Sequence, residues 1–177
     1  GEMNMSTENQ SVCAVVVAAG SSRRMGGENK LLLPLCGKPV LAHTLTVFQM
    51  CGAVRDIVLV CREQDMEVYR TLAAENGITK LRTLTRGGDT RTESVLAGVS
   101  AASEACALVA VHDGARPLVS DEVITQAVAE AAKTGAAAPV VPVKDSIKRI
   151  ENGKIAADVP RDTLAAVQTP QVFRRDM

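Results

Sequence analysis

Short unbroken apolar runs alternate along this chain with longer segments in which apolar positions recur every third or fourth residue. The first run, Val15-Val16-Val17-Ala18-Ala19, predicts a buried strand that breaks into a loop of small residues. Residues 40–50 set Val40, Leu41, Thr44, Leu45, Val47 and Phe48 on one side, which predicts a helix entered at Pro39 and stopped by Gly52. Residues 56–61 read as a second buried strand and 64–75 as a more polar helix ended by Asn76-Gly77. Residues 80–84 alternate charged and apolar side chains, as a half-buried strand does. Thr90 and Glu93 form a capping-box pattern, so a helix starts at Thr90. Its expected inward stripe is Val95, Leu96, Val99 and Ala102, with Arg91, Ser94 and Gly98 on a different side. Residues 108–111 predict a strand, Ser120 caps a helix carrying Asp121 and Glu122 in its first turn, and residues 136–141 predict one more strand.

Strands that alternate with helices of this length imply βαβ units and a mostly parallel sheet covered on both faces, an α/β protein. From Pro142 the texture changes. Residues 143–150 alternate, Glu151-Asn152-Gly153-Lys154 is a turn, and residues 155–159 return, which predicts a hairpin projecting from the body. Such a hairpin is either a dimer arm or a plain surface feature. No repeat, low-complexity tract or linker divides the chain, so residues 11–177 are expected to form one domain with a β-arm at 142–160. Residues 1–10 are expected to be disordered or left from cloning, since Gly1-Glu2 precede Met3.

Composition narrows the function. With 177 residues and 46% apolar content the chain can bury a real core, and its formal net charge is zero. No general electrostatic footprint for nucleic acid is present, and three aromatic residues (Phe48, Tyr69, Phe173) are too few to stack many bases. No run approaches the roughly 18 apolar residues of a membrane span, and the N-terminus lacks a signal-peptide core. The five cysteines are scattered, with no metal-ligand spacing, and fit buried reduced thiols in a cytoplasmic protein.

In an open parallel sheet, ligands bind beyond the carboxyl ends of the strands. The segments that fall there, residues 18–30, 86–90, 112–117 and the start of the arm, are also the richest in glycine and charge. The first contains Arg23, Arg24 and Lys30 against Glu28; it is neither a P-loop nor a G-x-G-x-x-G turn. Open backbone with local positive charge suits a polyphosphate, while an ordinary strand-to-loop connection would look much the same. Asp113 directly follows a buried strand and could hold Mg²⁺, pair with Arg116 or cap the turn at Gly114. His112 reads as a packed or hydrogen-bonded histidine, and His43, on a helix away from these loops, as structural.

The first loop resembles the signature loop of nucleotidyltransferases that make nucleoside-diphosphate sugars and alcohols. Further stretches extend the likeness. They are Gly87-Gly88-Asp89 with Arg91, Ser94-Val95-Leu96-Ala97-Gly98, His112-Asp113-Gly114-Ala115-Arg116-Pro117, Pro142 to Arg149, and Arg161 with Thr169-Pro170-Gln171. Together, in this order, they closely resemble the 2-C-methyl-D-erythritol 4-phosphate cytidylyltransferases of non-mevalonate isoprenoid synthesis. Ribitol-phosphate cytidylyltransferases share most of the pattern. The resemblance implies a Rossmann-like nucleotidyltransferase fold, CTP and a polyol phosphate as substrates, Mg²⁺ as cofactor and a homodimer formed through the arm. Residue by residue, it implies Arg24, Lys30 and Arg161 as catalytic, and Ala18, Ala19, Gly20, Gly88, Asp89, Ser94 and Gly114 as nucleotide-binding. It likewise implies Ser146, Arg161 and Thr169 at the acceptor phosphate and Asp113 as the metal ligand.

Chemistry agrees with those roles. An acceptor phosphate is already an anion and needs no general base, so the obstacle is bringing two anions together, which fixed cations offset. The spacing from Met25 to Lys30 is short, and family chains continue beyond the point matching Met177 with a second substrate-positioning lysine that has no counterpart here. The expectation is therefore a domain lacking the family's C-terminal segment. Besides methylerythritol phosphate transfer, the alternatives are ribitol phosphate as acceptor, or a nucleotide-binding module without catalysis.

Overall fold

A computed structural model of the chain describes residues 11–20 and 29–177. The predictions for residues 1–10 and for Arg23, Arg24 and Glu28 lie outside the described residues.

Strand β1 (Val12–Ala18) is the axis of the fold. It pairs in parallel with β4 (Val54–Cys61) on one side and with β6 (Leu108–Asp113) on the other. Beyond β4 lies β5 (Leu81–Arg86), also parallel. Beyond β6 lies β12 (Gln171–Arg174), which runs antiparallel and carries the two-residue β7 (Ala136–Ala137) on its outer side. Among the described residues the sheet order is thus β5-β4-β1-β6-β12-β7.

The period of two along β1 sorts its side chains into two cores. Val12, Ala14, Val16 and Ala18 join the cluster made with α1 (Val40–Met50), α2 (Met66–Glu75) and α4 (Asp121–Thr134). Cys13 and Val15 face the other way, into the cluster built with α3 (Arg91–Ala101), Cys106 and Phe173. Both faces are covered, which is why the central strands can be apolar throughout. The expected mostly parallel α/β architecture is present.

Local signals act as read. Thr90 and Glu93 make both bonds of the capping box, and Ser120 accepts from the Val123 N–H at the start of α4. Several expectations need correction. The stop of α1 is the Cys51 N–H bonded to the Val47 carbonyl; Gly52 adopts no left-handed φ there. In α3 the row facing the sheet is Ser94 and Gly98, with Val95 and Val99 beside it, while Leu96 is 65% exposed. The reason is distance: a Cβ on Gly98 would lie 2.3 Å from Val15 Cγ1 and 2.6 Å from Val60 Cγ2. The helix sits so close that only small residues fit its contact row. Residues 136–141 are not one strand, since β7 joins the main sheet and β8 (Val140–Pro142) pairs instead with β11 (Ala165–Val167). Cys36 is exposed, at a turn, whereas the other four cysteines are buried; all five are free thiols.

The arm is a two-stranded antiparallel ribbon, β9 (Ile147–Glu151) and β10 (Lys154–Val159). Asn152 and Gly153 at its tip both take positive φ, +50° and +74°, the pair of conformations that a tight two-residue hairpin turn demands. Residues 143–146, expected within the first strand, lead into the ribbon instead.

Candidate active site

The carboxyl ends of β1, β4, β5 and β6 open onto one cleft of about 920 Å³. Three chain segments meet there at very short range. The Gly87 N–H donates to the Cys61 carbonyl at 2.9 Å, and a Cβ on Gly87 would lie 2.6 Å from both Ala19 Cβ and Ser94 Oγ. A Cβ on Gly88 would lie 2.3 Å from Glu93 Cβ. Glycine at 87 and 88 is what lets the loop after β1, the loop after β5 and the start of α3 converge, and it leaves their backbone bare to a ligand. Buried Ser94 donates to the Gly88 carbonyl at 3.4 Å. The capped N-terminus of α3 adds the favourable end of a helix dipole for an anion.

Lys30 lines the cleft at the head of a 3₁₀ turn, Lys30–Leu32. Its base is held by Asn29, whose Oδ1 accepts from the Leu31 N–H at 3.1 Å while Nδ2 donates to the Tyr69 hydroxyl at 2.8 Å. Burial pushes the Tyr69 phenol up to about 12, so it stays a neutral partner at any working pH.

Asp113 lies between two guanidiniums. Arg91 Nη2 reaches its Oδ1 at 3.0 Å and Arg116 Nε its Oδ2 at 3.3 Å. The pairing with Arg116 that the sequence allowed is therefore present, joined by an unforeseen one from α3. Arg116 also donates to the Gln168 side-chain oxygen at 2.5 Å. Behind the carboxylate the loop is pinned from several directions. The Gly114 N–H donates to the Val17 carbonyl at 2.9 Å, and Thr44 Oγ1 donates to the Gly114 carbonyl at 2.7 Å.

His112 is completely buried and tilted against Phe48, with ring centroids 4.9 Å apart. Burial lowers its pKa, as expected for a neutral imidazole in the core. His43 bonds the Leu35 carbonyl at 2.6 Å. Both histidines have structural partners, as expected from their positions.

Of the residues singled out in the sequence, the fold brings Ala18, Ala19, Gly20, Lys30, Gly88, Asp89, Ser94, Asp113 and Gly114 to this cleft. Thr169 does not line the cleft: it lies behind Asp113, 7% exposed, bonded to His112 and to the Asp113 N–H. Ser146 and Arg161 do not line the cleft: Ser146 is exposed before the arm, and Arg161 donates to the Lys144 carbonyl at 2.5 Å. Arg24 lies outside the described residues. Arg62, Glu63 and Gln64 line the cleft without having been foreseen, whereas Arg86 belongs to the expected segment 86–90. The signal of these three was available, since they directly follow β4 at the same sheet edge as the glycine loops.

An open, mainly parallel sheet with a cleft at its carboxyl edge, set between a bare glycine backbone and a lysine, defines the Rossmann-like α/β class. Within that class, residues 12–177 match the model of a family described as IspD, 2-C-methyl-D-erythritol 4-phosphate cytidylyltransferase. The chain belongs to this family. It is 44% identical over 170 residues to the 2-C-methyl-D-erythritol 4-phosphate cytidylyltransferase of Dehalococcoides mccartyi, covering 96% of this chain and 74% of that one. It is 47% identical over 160 residues to the enzyme of that name from Halalkalibacterium halodurans, covering 90% and 70%. Among solved structures it resembles the 4-diphosphocytidyl-2C-methyl-D-erythritol synthase of Anaerococcus prevotii, with a TM-score of 0.83 at 27% identity over 96% of this chain and 73% of the other. The Thermus thermophilus 2-C-methyl-D-erythritol 4-phosphate cytidylyltransferase superposes with a TM-score of 0.68 at 30% identity, over 92% and 70%.

Proposed function

We propose that this chain transfers CMP from CTP to 2-C-methyl-D-erythritol 4-phosphate, giving 4-diphosphocytidyl-2-C-methyl-D-erythritol and pyrophosphate. The observation that carries the reading is the convergence of Gly87, Gly88, Ser94, Lys30 and Asp113 on one cleft in a chain of this family. A phosphate oxygen of the acceptor attacks the α-phosphorus of CTP, the bond to the β-phosphate breaks, and pyrophosphate leaves with its electron pair. Backbone around Gly87 and Gly88 that no side chain covers, with the Ser94 hydroxyl held beside it, suits close approach of a small base with an exocyclic amine and a ring carbonyl. Lys30 supplies positive charge where negative charge accumulates in the transition state, the role that the family resemblance gives Arg24 as well.

Asp113 fits a dication carried in by the triphosphate, because Mg²⁺ takes one or two protein carboxylates and fills its remaining positions with phosphate oxygens and water. Such an ion would offset charge between the two phosphates. Among the described residues no cluster of three or more acidic, histidine or cysteine ligands exists, which fits an ion held largely by the nucleotide. Both Arg91 bonds fall on Asp113 Oδ1, so Oδ2, which accepts from Arg116 Nε, keeps a lone pair for such an ion.

A homodimer formed through the arm is the second part of the proposal. It is supported by Ser146 and Arg161 standing away from their own cleft, and by apolar side chains exposed on and beside the arm: Val140, Val141, Val167, Ile150 and Ile155. The free cysteines support a reducing, cytoplasmic setting.

The test is to supply CTP and Mg²⁺ with either methylerythritol phosphate or ribitol 5-phosphate and to follow pyrophosphate. Release with the first and little with the second is expected. Release with ribitol phosphate alone would change the acceptor, and CTP binding without turnover on either would make the chain a nucleotide-binding module. Mixing Asp113→Asn chains with Arg161→Ala chains should restore part of the activity if the arm completes the neighbouring subunit's cleft. No recovery in demonstrated mixed dimers would put both residues in one subunit's site.

A further inference from the structure

The loop that carries Asp113 and Arg116 meets the segment after the arm through one buried polar contact. His112 and Thr169, 57 residues apart in sequence, bond at 2.9 Å between Nδ1 and Oγ1. The other ring nitrogen, Nε2, lies 3.0 Å from the Arg116 carbonyl. A carbonyl can only accept, so Nε2 carries the ring proton and Nδ1 presents a lone pair. The Thr169 hydroxyl must then donate to Nδ1. Its oxygen also accepts from the Asp113 N–H, at 3.3 Å. The result is a one-way chain of bonds, Asp113 N–H to Thr169 O–H to His112, and His112 N–H to the Arg116 carbonyl. No buried side-chain nitrogen or oxygen among the described residues is left without a partner, so every link is used.

This commitment limits what Thr169 can do. With its proton on His112 it has only an oxygen lone pair left, which cannot donate to the bare oxygens of a phosphate. We infer that the buried His112–Thr169 pair is a positioning device that rivets the Asp113–Arg116 loop to the post-arm segment, so that Asp113 and Arg116 keep one fixed place in the cleft. The inference rests on the cytidylyltransferase reading for its catalytic consequence. In-line transfer needs the acceptor phosphate held close to the α-phosphorus, and a misplacement of about 1 Å can cost about 10²-fold in rate. The Arg116 to Gln168 bond joins the same two segments at the surface, where water competes; the buried pair is the one shielded from exchange.

The test combines the ring-nitrogen signature with a double-mutant cycle. In the wild-type protein, ¹⁵N shifts of His112 should report a neutral ring protonated at Nε2; an Nδ1–H ring or an imidazolium at neutral pH overturns the bond chain. His112→Phe keeps a ring beside Phe48 but removes both bonds, and Thr169→Val keeps shape while removing the hydroxyl. Each should lower kcat about ten- to a hundred-fold, and the double variant should be no worse than the poorer single one. His112→Asn, whose side-chain oxygen can accept from Thr169, should recover part of the loss. Multiplicative losses in the double variant overturn the rivet. So does a Thr169→Val protein with raised acceptor KM, unchanged kcat and no counterpart in His112→Phe, because Thr169 would then touch the acceptor directly. If the wild type turns over no acceptor, the functional reading fails by itself. The ring-nitrogen spectrum and the coupling of the two substitutions in denaturant unfolding then still decide the rivet. Should His112→Phe not fold, Thr169→Val and the wild-type spectrum carry the test.

Discussion

Replacing Gly98 by alanine pits two opposing effects against each other, and the structure decides the sign. In an exposed helix interior the change would stabilise by about 1 kcal/mol, because alanine loses less backbone freedom on folding. Gly98, however, lies against β1 and β4, where the new methyl would sit 2.3 Å from Val15 Cγ1 and 2.6 Å from Val60 Cγ2. Both valines are completely buried and β-branched, so neither side chain can swing aside. Overpacking of this kind costs about 1–3 kcal/mol, and rigid neighbours put Gly98→Ala in the upper part of that range. The expected net loss is about 1–2 kcal/mol. In urea, with a slope of about 2 kcal/mol per molar, the unfolding midpoint should fall by about 0.5–1 M. Because α3 also carries Arg91 and Ser94 into the cleft, pushing it outward should lower turnover as well. Leu96→Ala on the same helix is the control. At 65% exposure it should stay within about 0.5 kcal/mol of wild type, whereas an inward leucine would cost about 2–5 kcal/mol. A Gly98→Ala protein more stable than wild type, or a large loss in Leu96→Ala, would refute this packing of α3.

On the proposed roles of Lys30 and Arg24 at the developing transition state, Lys30→Ala and Arg24→Ala should each lower kcat about 10²–10³-fold while leaving CTP affinity close to wild type; isothermal titration beside steady-state kinetics checks this, and a matching loss of affinity would contradict it. Of the five thiols, Cys36 alone should react rapidly with a thiol reagent in the native protein. Burial pushes the Cys13 thiol up to about 12, holding it in the unreactive protonated form, and the remaining thiols should appear only on unfolding. The capping box has a pH signature. Hydrogen bonds from Thr90 hold the Glu93 carboxyl below its ordinary value, so its stabilisation is present above the ordinary carboxylate range and is lost as pH falls through the lowered pKa. The stability difference between wild type and Glu93→Gln should therefore shrink on acidification; a difference that grows as pH falls would reverse the assignment.

Much of this protein is determined by residues close together in sequence. The strand at β1, the helix at 40–50, the caps at Thr90 and Ser120 and the turn at Asn152-Gly153 rest on periodicity and on bonds spanning a few residues, so they are legible one segment at a time. The gathering of glycine and charge at the carboxyl edge is legible too, because βαβ alternation dictates which loops share that edge. Other features depend on distances that no local pattern encodes. Leu96 looks inward on a helical wheel, yet the closeness of α3 to Val15 and Val60 turns the small row of Ser94 and Gly98 to the sheet instead. The polar-looking tail after the arm supplies β12, antiparallel against β6, and with it the Thr169 hydroxyl under His112. Asp113 reads as a metal ligand, a partner of Arg116 or a turn cap, but Arg91, 22 residues earlier on α3, is carried to it as well and joins Arg116 in holding it. Such pairings are set by how layers stack and how closely they approach, and a chain specifies them only through the sum of its packing.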